Sequence, residues 1–252
     1  MKPLSFFTLA LVSLVPALVS RAEHPKFQTF DSAGVPIRYT VEGEGDPVVL
    51  IHGLTASADL NWRLPGVIKT LAPHFRVIAF DARGHGGSGK PKAESAYGVE
   101  MEEDVVRLLD HLHIQKAHIV GYSMGGMITM KLLTRHPERV RSALLGGMGW
   151  MRESSHLQEF WSGLPPQQRG STPAACVRSL GELAVTEAEI KAIRVPVTIV
   201  VGEKDPCRAL YVEPLQRIRP DWPVQLVPGA NHFACIFKSD FNEDIRDWLG
   251  RQ

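Results

Sequence analysis

The sequence lacks the marks of several large function classes. Charge of one sign is missing: 28 Lys and Arg stand against 27 Asp and Glu, no footprint for nucleic acid or anionic lipid. Metal-ligand spacing is missing too, since no His or Cys falls into H-E-x-x-H or C-x-x-C. Gly84-His-Gly-Gly-Ser-Gly89 is rich in glycine but has neither the Gly-Lys-Ser/Thr ending of a P-loop nor the spacing of a dinucleotide fingerprint. Neither a metal nor another cofactor is therefore indicated. There is no internal repeat and no low-complexity linker. Cysteine is scarce: Cys176, Cys207 and Cys235 allow one disulfide and one leftover thiol.

Long apolar runs are absent except at the amino terminus. Met1-Lys2 is followed by an apolar stretch from Leu4 to Val19, and Ser20-Arg21-Ala22 supplies small residues before Glu23. This pattern reads as a secretory signal peptide over residues 1–22. Pro16 and the short apolar length argue against an uncleaved membrane anchor. Cleavage after Ala22 removes Lys2 and Arg21 and no acid, so the formal charge of +1 becomes −1. The expected location is secreted or periplasmic, where disulfides persist. No later segment is long and apolar enough for a membrane span.

The remaining residues, 23–252, suit one α/β domain. Phe27–Phe30 and Ile37–Val41 alternate like strands around the turn cluster Asp31–Gly34. Short apolar runs follow at Pro47–Ile51, Arg76–Phe80, Ala117–Val120, Arg141–Gly146, Val195–Val201 and Val224–Val227, as strands covered on both faces require. Helical stretches are expected over Trp62–Leu71, Val99–Leu112, Met127–Arg135, Ala209–Ile218 and Phe233–Leu249. Strands alternating with helices imply a mostly parallel, eight-stranded sheet with helices on both faces. The rhythm breaks over residues 148–194, which we expect to form a small cap at the carboxyl edge of the sheet, where ligands bind in open α/β folds. Glu182–Ile193 is the helical candidate within it.

Gly121-Tyr122-Ser123-Met124-Gly125 fits G-x-S-x-G between a strand and a helix, the context of a nucleophile elbow. Its glycines have a steric reason, because a Cβ on either would collide where strand and helix converge. A serine hydroxyl needs a base within hydrogen-bond reach and an orienting group behind the base. Two loops that directly follow strands carry such groups, Gly202-Glu-Lys-Asp205 and Pro228-Gly-Ala-Asn-His232. Glu203 and Asp205 are both candidate acids, with Glu153 a more distant third.

Five features then stand in order at successive strand ends: His52-Gly53, Asp81-Ala-Arg-Gly-His-Gly-Gly-Ser88, the Gly121–Gly125 elbow, Asp205 and His232. In this the chain resembles the α/β-hydrolase fold family over residues 23–252. The resemblance implies Ser123 as nucleophile, His232 as base and Asp205 as acid. It also implies oxyanion donors at the backbone N–H groups of Leu54 and Met124. His52 takes a shaping role in the oxyanion loop and His85 a structural one. His24, His74, His111, His113, His118, His136 and His156 read as surface or packing residues. If Asp205 touches His232, Cys207 and Cys235 lie on neighbouring loops, either bonded as a disulfide or both free.

A serine elbow argues against epoxide hydrolases and haloalkane dehalogenases, whose family members attack with a carboxylate. The expected activity is hydrolysis of a small-molecule carboxylic ester through an acyl-enzyme. Trp and Met residues of the insertion suit an apolar acyl or alcohol group, and equally a small cap core. Carbon–carbon bond hydrolysis and perhydrolase chemistry use the same triad. Asn61-Trp62 is similar to the carbon–carbon hydrolases, whereas Tyr122 stands where they carry Asn. A non-catalytic ligand-binding homologue is the alternative of another class.

Overall fold

A computed structural model describes residues 26–153 and 170–252. The predicted signal peptide, and Phe160, Trp161 and Leu164 of the insertion, lie outside the described residues. The chain begins with a hairpin, β1 (Gln28–Ser32) and β2 (Val35–Glu42). The other strands are β3 (Asp46–Ile51), β4 (Phe75–Phe80), β5 (Ala117–Tyr122), β6 (Val140–Gly146), β7 (Val197–Gly202) and β8 (Val224–Val227). They form one eight-stranded sheet in the order β1-β2-β4-β3-β5-β6-β7-β8. Strands β3 to β8 run parallel, and the hairpin joins antiparallel to β4 at one edge.

Both faces of the sheet are apolar because each central strand alternates between two cores. Val49, Ile51, Ile78, Phe80, Ile119 and Ile199 pack on one side, and Val48, Leu50, Val77, Ala79, Val120 and Val200 on the other. Helices α1 (Val67–Leu71), α2 (Val99–His111) and α3 (Met124–Arg135) follow β3, β4 and β5. The insertion contributes α4 (Ala174–Ser179) and α5 (Glu187–Ala192), and α6 (Glu213–Ile218) and α7 (Ser239–Leu249) complete the chain. Helix α2 presents Met101, Val105, Leu108 and Leu109 to the first core, while α7 presents Phe241, Ile245 and Trp248 to the second. No helix among the described residues is long and apolar enough to cross a membrane.

Several helices are shorter than their apolar spacing predicts. The expected Trp62–Leu71 helix splits into a wide turn over Asp59–Arg63 and α1, because Gly66 adopts φ +89° between them. The expected Ala209–Ile218 helix, by contrast, is helical throughout, with Arg208–Val212 wound as a π-helix that runs directly into α6. Within Glu182–Ile193 only α5 is α-helical; Thr186 and Glu189 close a capping box that fixes its start. Met148 and Met151 of the insertion are buried in the first core, and Trp150 Nε1 donates to the Val185 carbonyl at 2.8 Å. These three side chains act as cap core.

One buried charge cluster joins α2 to the end of α3. The Glu102 side chain is fully buried and neither oxygen has a hydrogen bond, although Arg135 Nε lies 3.0 Å from Oε2. Burial, with help from Glu103, pushes its carboxyl up to about 7. The folded chain therefore holds a proton that the unfolded chain releases between about pH 4.5 and 7. This group's contribution to stability falls as pH rises through that window and is flat above it. Glu102→Gln should accordingly raise Tm by roughly 2–4 °C near pH 8 and leave it almost unchanged near pH 4, as read by thermal melts. Equal shifts at both pH values would contradict a buried, proton-holding Glu102.

Candidate active site

Ser123 sits between β5 and α3 at φ +53° and ψ −113°, a conformation that costs a non-glycine residue on the order of 1–3 kcal/mol. Its neighbours leave it no alternative. A Cβ on Gly125 would meet the Ile51 carbonyl oxygen at 1.9 Å, and one on Gly121 would meet the Gly125 oxygen at 2.1 Å. The turn is pinned by the Ser123 amide, which donates to the Gly146 carbonyl at 2.8 Å. The hydroxyl is thereby lifted above the carboxyl edge of the sheet.

The loops after β7 and β8 converge on it. Glu203 N donates to the Val227 carbonyl at 3.0 Å and Lys204 N to the Ala230 carbonyl at 2.8 Å, tying the two loops together. His232 Nδ1–H then donates to Asp205 Oδ2 at 2.7 Å, and the Ser123 hydroxyl donates to His232 Nε2 at 3.0 Å. The tautomer follows from the acceptor-only carboxylate on the Nδ1 side. Asp205 is 3% exposed, and its other oxygen accepts the Cys207 amide at 2.8 Å. Glu203 is exposed and accepts the Gly229 amide at 2.7 Å. It serves the loop and makes no contact with the imidazole.

The loop after β3, where the oxyanion donor Leu54 is expected, packs directly on the elbow: a Cβ on Gly53 would lie 3.3 Å from Ser123 Cβ. Leu54 follows Gly53 in this loop, and Met124 opens α3. His52 is fully buried, with Nδ1–H donating to the Gly53 carbonyl at 2.7 Å and Nε2 accepting the Ala82 amide at 3.0 Å. Burial lowers its pKa, so the neutral ring bridges the loops after β3 and β4. His85 lies against it with ring centroids 5.1 Å apart and burial lowers its pKa to about 3. Elsewhere His111 stacks on Phe30, His118 pairs with Ser142, and His136 faces Glu102 and Glu103.

Two supporting side chains escape sequence reasoning. Asn61 Oδ1 accepts the Gly53 amide at 2.6 Å, although its pairing with Trp62 suggested only a family likeness. Tyr122 turns its hydroxyl to the His232 carbonyl at 2.5 Å, and burial raises its pKa well above the ordinary value, so it stays a donor. Neither role has a local sequence signal: Asn61 reaches back eight residues within the connection after β3, and Tyr122 reaches the loop after β8.

All three cysteines are free, so of the two arrangements open to Cys207 and Cys235 the structure has the unbonded one. Cys207 turns its thiol to the Asp205 carboxylate, and Cys235 lies against Tyr122. Burial pushes the Cys235 thiol up to about 12. Two groups among the described residues bring three donor atoms within 4.8 Å of one another: Asp205–Cys207–His232, and Glu102–Glu103–His136. In the second, Arg135 already ion-pairs with both carboxylates.

A model of the alpha/beta hydrolase fold matches residues 46–188. The chain belongs to the α/β-hydrolase family. This α/β-hydrolase is 43% identical over 121 residues to a 2-hydroxymuconate semialdehyde hydrolase of Pseudomonas sp. CF600, which covers 46% of this chain and 41% of that one. The matched stretches span 38%, 51% and 41% of the lengths of the first curated relatives. Among solved structures, the meta-cleavage product hydrolase of Pseudomonas fluorescens IP01 superposes with a TM-score of 0.71 at 24% identity, over 89% of this chain and 97% of that one. A structure from work on carboxylesterases of Nitrososphaera gargenis gives 0.74 at 20% identity, over 90% and 98%. These two likenesses concern the fold.

The elbow's tight packing carries its own test. Gly125→Ala should cost about 3 kcal/mol or more, since the added methyl overlaps backbone that cannot rotate away. Urea denaturation measures it, and a cost within about 0.5 kcal/mol of zero would mean that α3 does not press on β3.

Proposed function

We propose that this α/β-hydrolase is a serine hydrolase that cleaves small carboxylic esters through an acyl-enzyme. The observation that carries the reading is the continuous hydrogen-bond chain Ser123–His232–Asp205, with a 2.7 Å link to the acid and a 3.0 Å link to the hydroxyl. In this reading Ser123 Oγ attacks the carbonyl carbon as its proton passes to His232 Nε2. The Asp205 carboxylate steadies the imidazolium, and the Leu54 and Met124 amides receive the oxyanion. His232 then protonates the departing alcohol, and water enters by the same route in reverse to free the acid. Residues 1–22 extend the proposal to an exported enzyme acting outside the cytoplasm.

A second reading is hydrolysis of a carbon–carbon bond, favoured by the 43% identity to the hydroxymuconate semialdehyde hydrolase. The same serine, base and acid serve both reactions, so the leaving group separates them. Purified protein assayed on p-nitrophenyl esters and on meta-cleavage products decides by kcat/KM, and a higher value on the latter selects the second reading. Ser123→Ala should lower ester turnover about a thousandfold or more and abolish labelling by a fluorophosphonate. Unchanged hydrolysis would overturn the assignment of Ser123. A folded wild-type protein that the probe does not label would instead favour a binding homologue.

A further inference from the structure

Cys207 has no part in the proposed chemistry, yet it stands at the acid end of the triad. Its amide donates to Asp205 Oδ1 at 2.8 Å. Its thiol faces the same carboxylate. One donor atom each from Cys207, Asp205 and His232 lies within 4.8 Å of the others. The imidazole nitrogen on this side is Nδ1, held 2.7 Å from Asp205 Oδ2. Cys207 and His232 are only half-buried, beside a buried carboxylate.

We infer that Cys207, Asp205 and His232 form an inhibitory site for a thiophilic divalent cation, of which Zn2+ is the type. Sulfur, imidazole nitrogen and carboxylate oxygen together are a zinc-type donor set and a poor one for Mg2+ or Ca2+. Metal–ligand bonds of about 2.0–2.3 Å in a tetrahedron set donor atoms about 3.3–3.7 Å apart. The Nδ1–Oδ2 pair at 2.7 Å therefore has to part by about half an ångström or more, while the Cys207 sulfur, which lies within 4.8 Å of both, closes to bonding distance, with water in the fourth position. Charge also suits the ion, since a thiolate and a carboxylate neutralise a dication in a half-buried place.

The Cys207 thiol gives its proton to solvent and its sulfur binds the metal. The imidazole proton moves from Nδ1 to Nε2 as Nδ1 takes the ion. His232 then carries a proton on the nitrogen that faces Ser123, and it has no lone pair there to accept the serine proton. The ion thus locks the triad in the unproductive tautomer. Nothing in this touches the scissile bond, so the effect is reversible on chelation.

The inference rests on the Ser123–His232–Asp205 reading for its effect on activity, but the binding itself does not. The full chain is titrated with Zn2+ while p-nitrophenyl ester hydrolysis and fluorophosphonate labelling are followed. It is titrated separately with Cd2+, following the ultraviolet thiolate-to-metal absorption. We expect one ion per chain, parallel loss of turnover and labelling, and recovery with EDTA. Mg2+ should have no effect. Cys207→Ala should need at least about tenfold more Zn2+ for half-inhibition relative to its own metal-free rate, and its Cd2+ absorption should vanish. Cys176→Ser should behave as wild type. In the unmutated chain Zn2+ should protect Cys207 from alkylation, located by peptide mass spectrometry, which keeps the test open if the variant does not fold. Unaltered Zn2+ sensitivity in Cys207→Ala, or absence of both the Cd2+ band and alkylation protection in the wild type, would overturn the site. A protein that binds Cd2+ through Cys207 but hydrolyses no ester would instead contradict the functional reading alone.

Discussion

The approach of α3 to the carboxyl end of β3 is the constraint on which the site depends. Gly125 lies so close to the Ile51 carbonyl that no side chain fits between them. That closeness leaves Ser123 in the positive-φ region, where the hydroxyl projects above the sheet instead of into a core. The strain is local and the force that holds it is not. Strand β5 lies between β3 and β6 with all six residues buried, and α3 is apolar over most of its length. Relaxing the elbow would mean separating two well-packed layers, which costs more than one strained residue.

Around this elbow, buried polar groups do the positioning. His52 bridges the loops after β3 and β4 as a neutral ring. Asp81 accepts from the Ala58 and Gly87 amides and from Arg38, and these donors hold its carboxyl below its ordinary pKa against the cost of burial. Asn61 supplies the partner for the Gly53 amide. Each of these groups is costly to bury unpaired, so each fixes the loop that satisfies it. The Asp205 end differs in kind. There the carboxylate shares its surroundings with a thiol, and the arrangement that orients an imidazole also resembles a ligand set for a soft ion.

The strands were largely legible in the residues. Runs such as Val48–Ile51 and Ile119–Val120 are apolar without a break, because the sheet is covered on both faces. Helix ends were less legible. The apolar spacing of Trp62–Leu71 continues across Gly66, where the backbone does not. The expected Ala209–Ile218 helix did form, but its first turns over Arg208–Val212 are wound wider than an α-helix, which apolar spacing does not reveal. The Trp and Met residues at the start of the insertion suited substrate or core equally; Met148, Trp150 and Met151 joined the core through contacts that span distant parts of the chain.

The sequence by itself determined the fold class and the order of the chemical groups along it. Apolar runs of strand length, separated by helix-forming stretches, have no better way to leave water than a covered parallel sheet, and such a sheet brings the ends of its strands to one edge. The tertiary structure alone decided which groups at that edge meet. Glu203 and Asp205 follow the same strand, yet one turns out to the Gly229 amide and the other turns in to His232. Cys207 and Cys235 are on neighbouring loops, yet one faces a carboxylate and the other a phenol. Inside a loop no periodicity tells a side chain where to point. Its direction is set by a few backbone angles and by hydrogen bonds to residues far away in the chain, and these exist only once the sheet has closed.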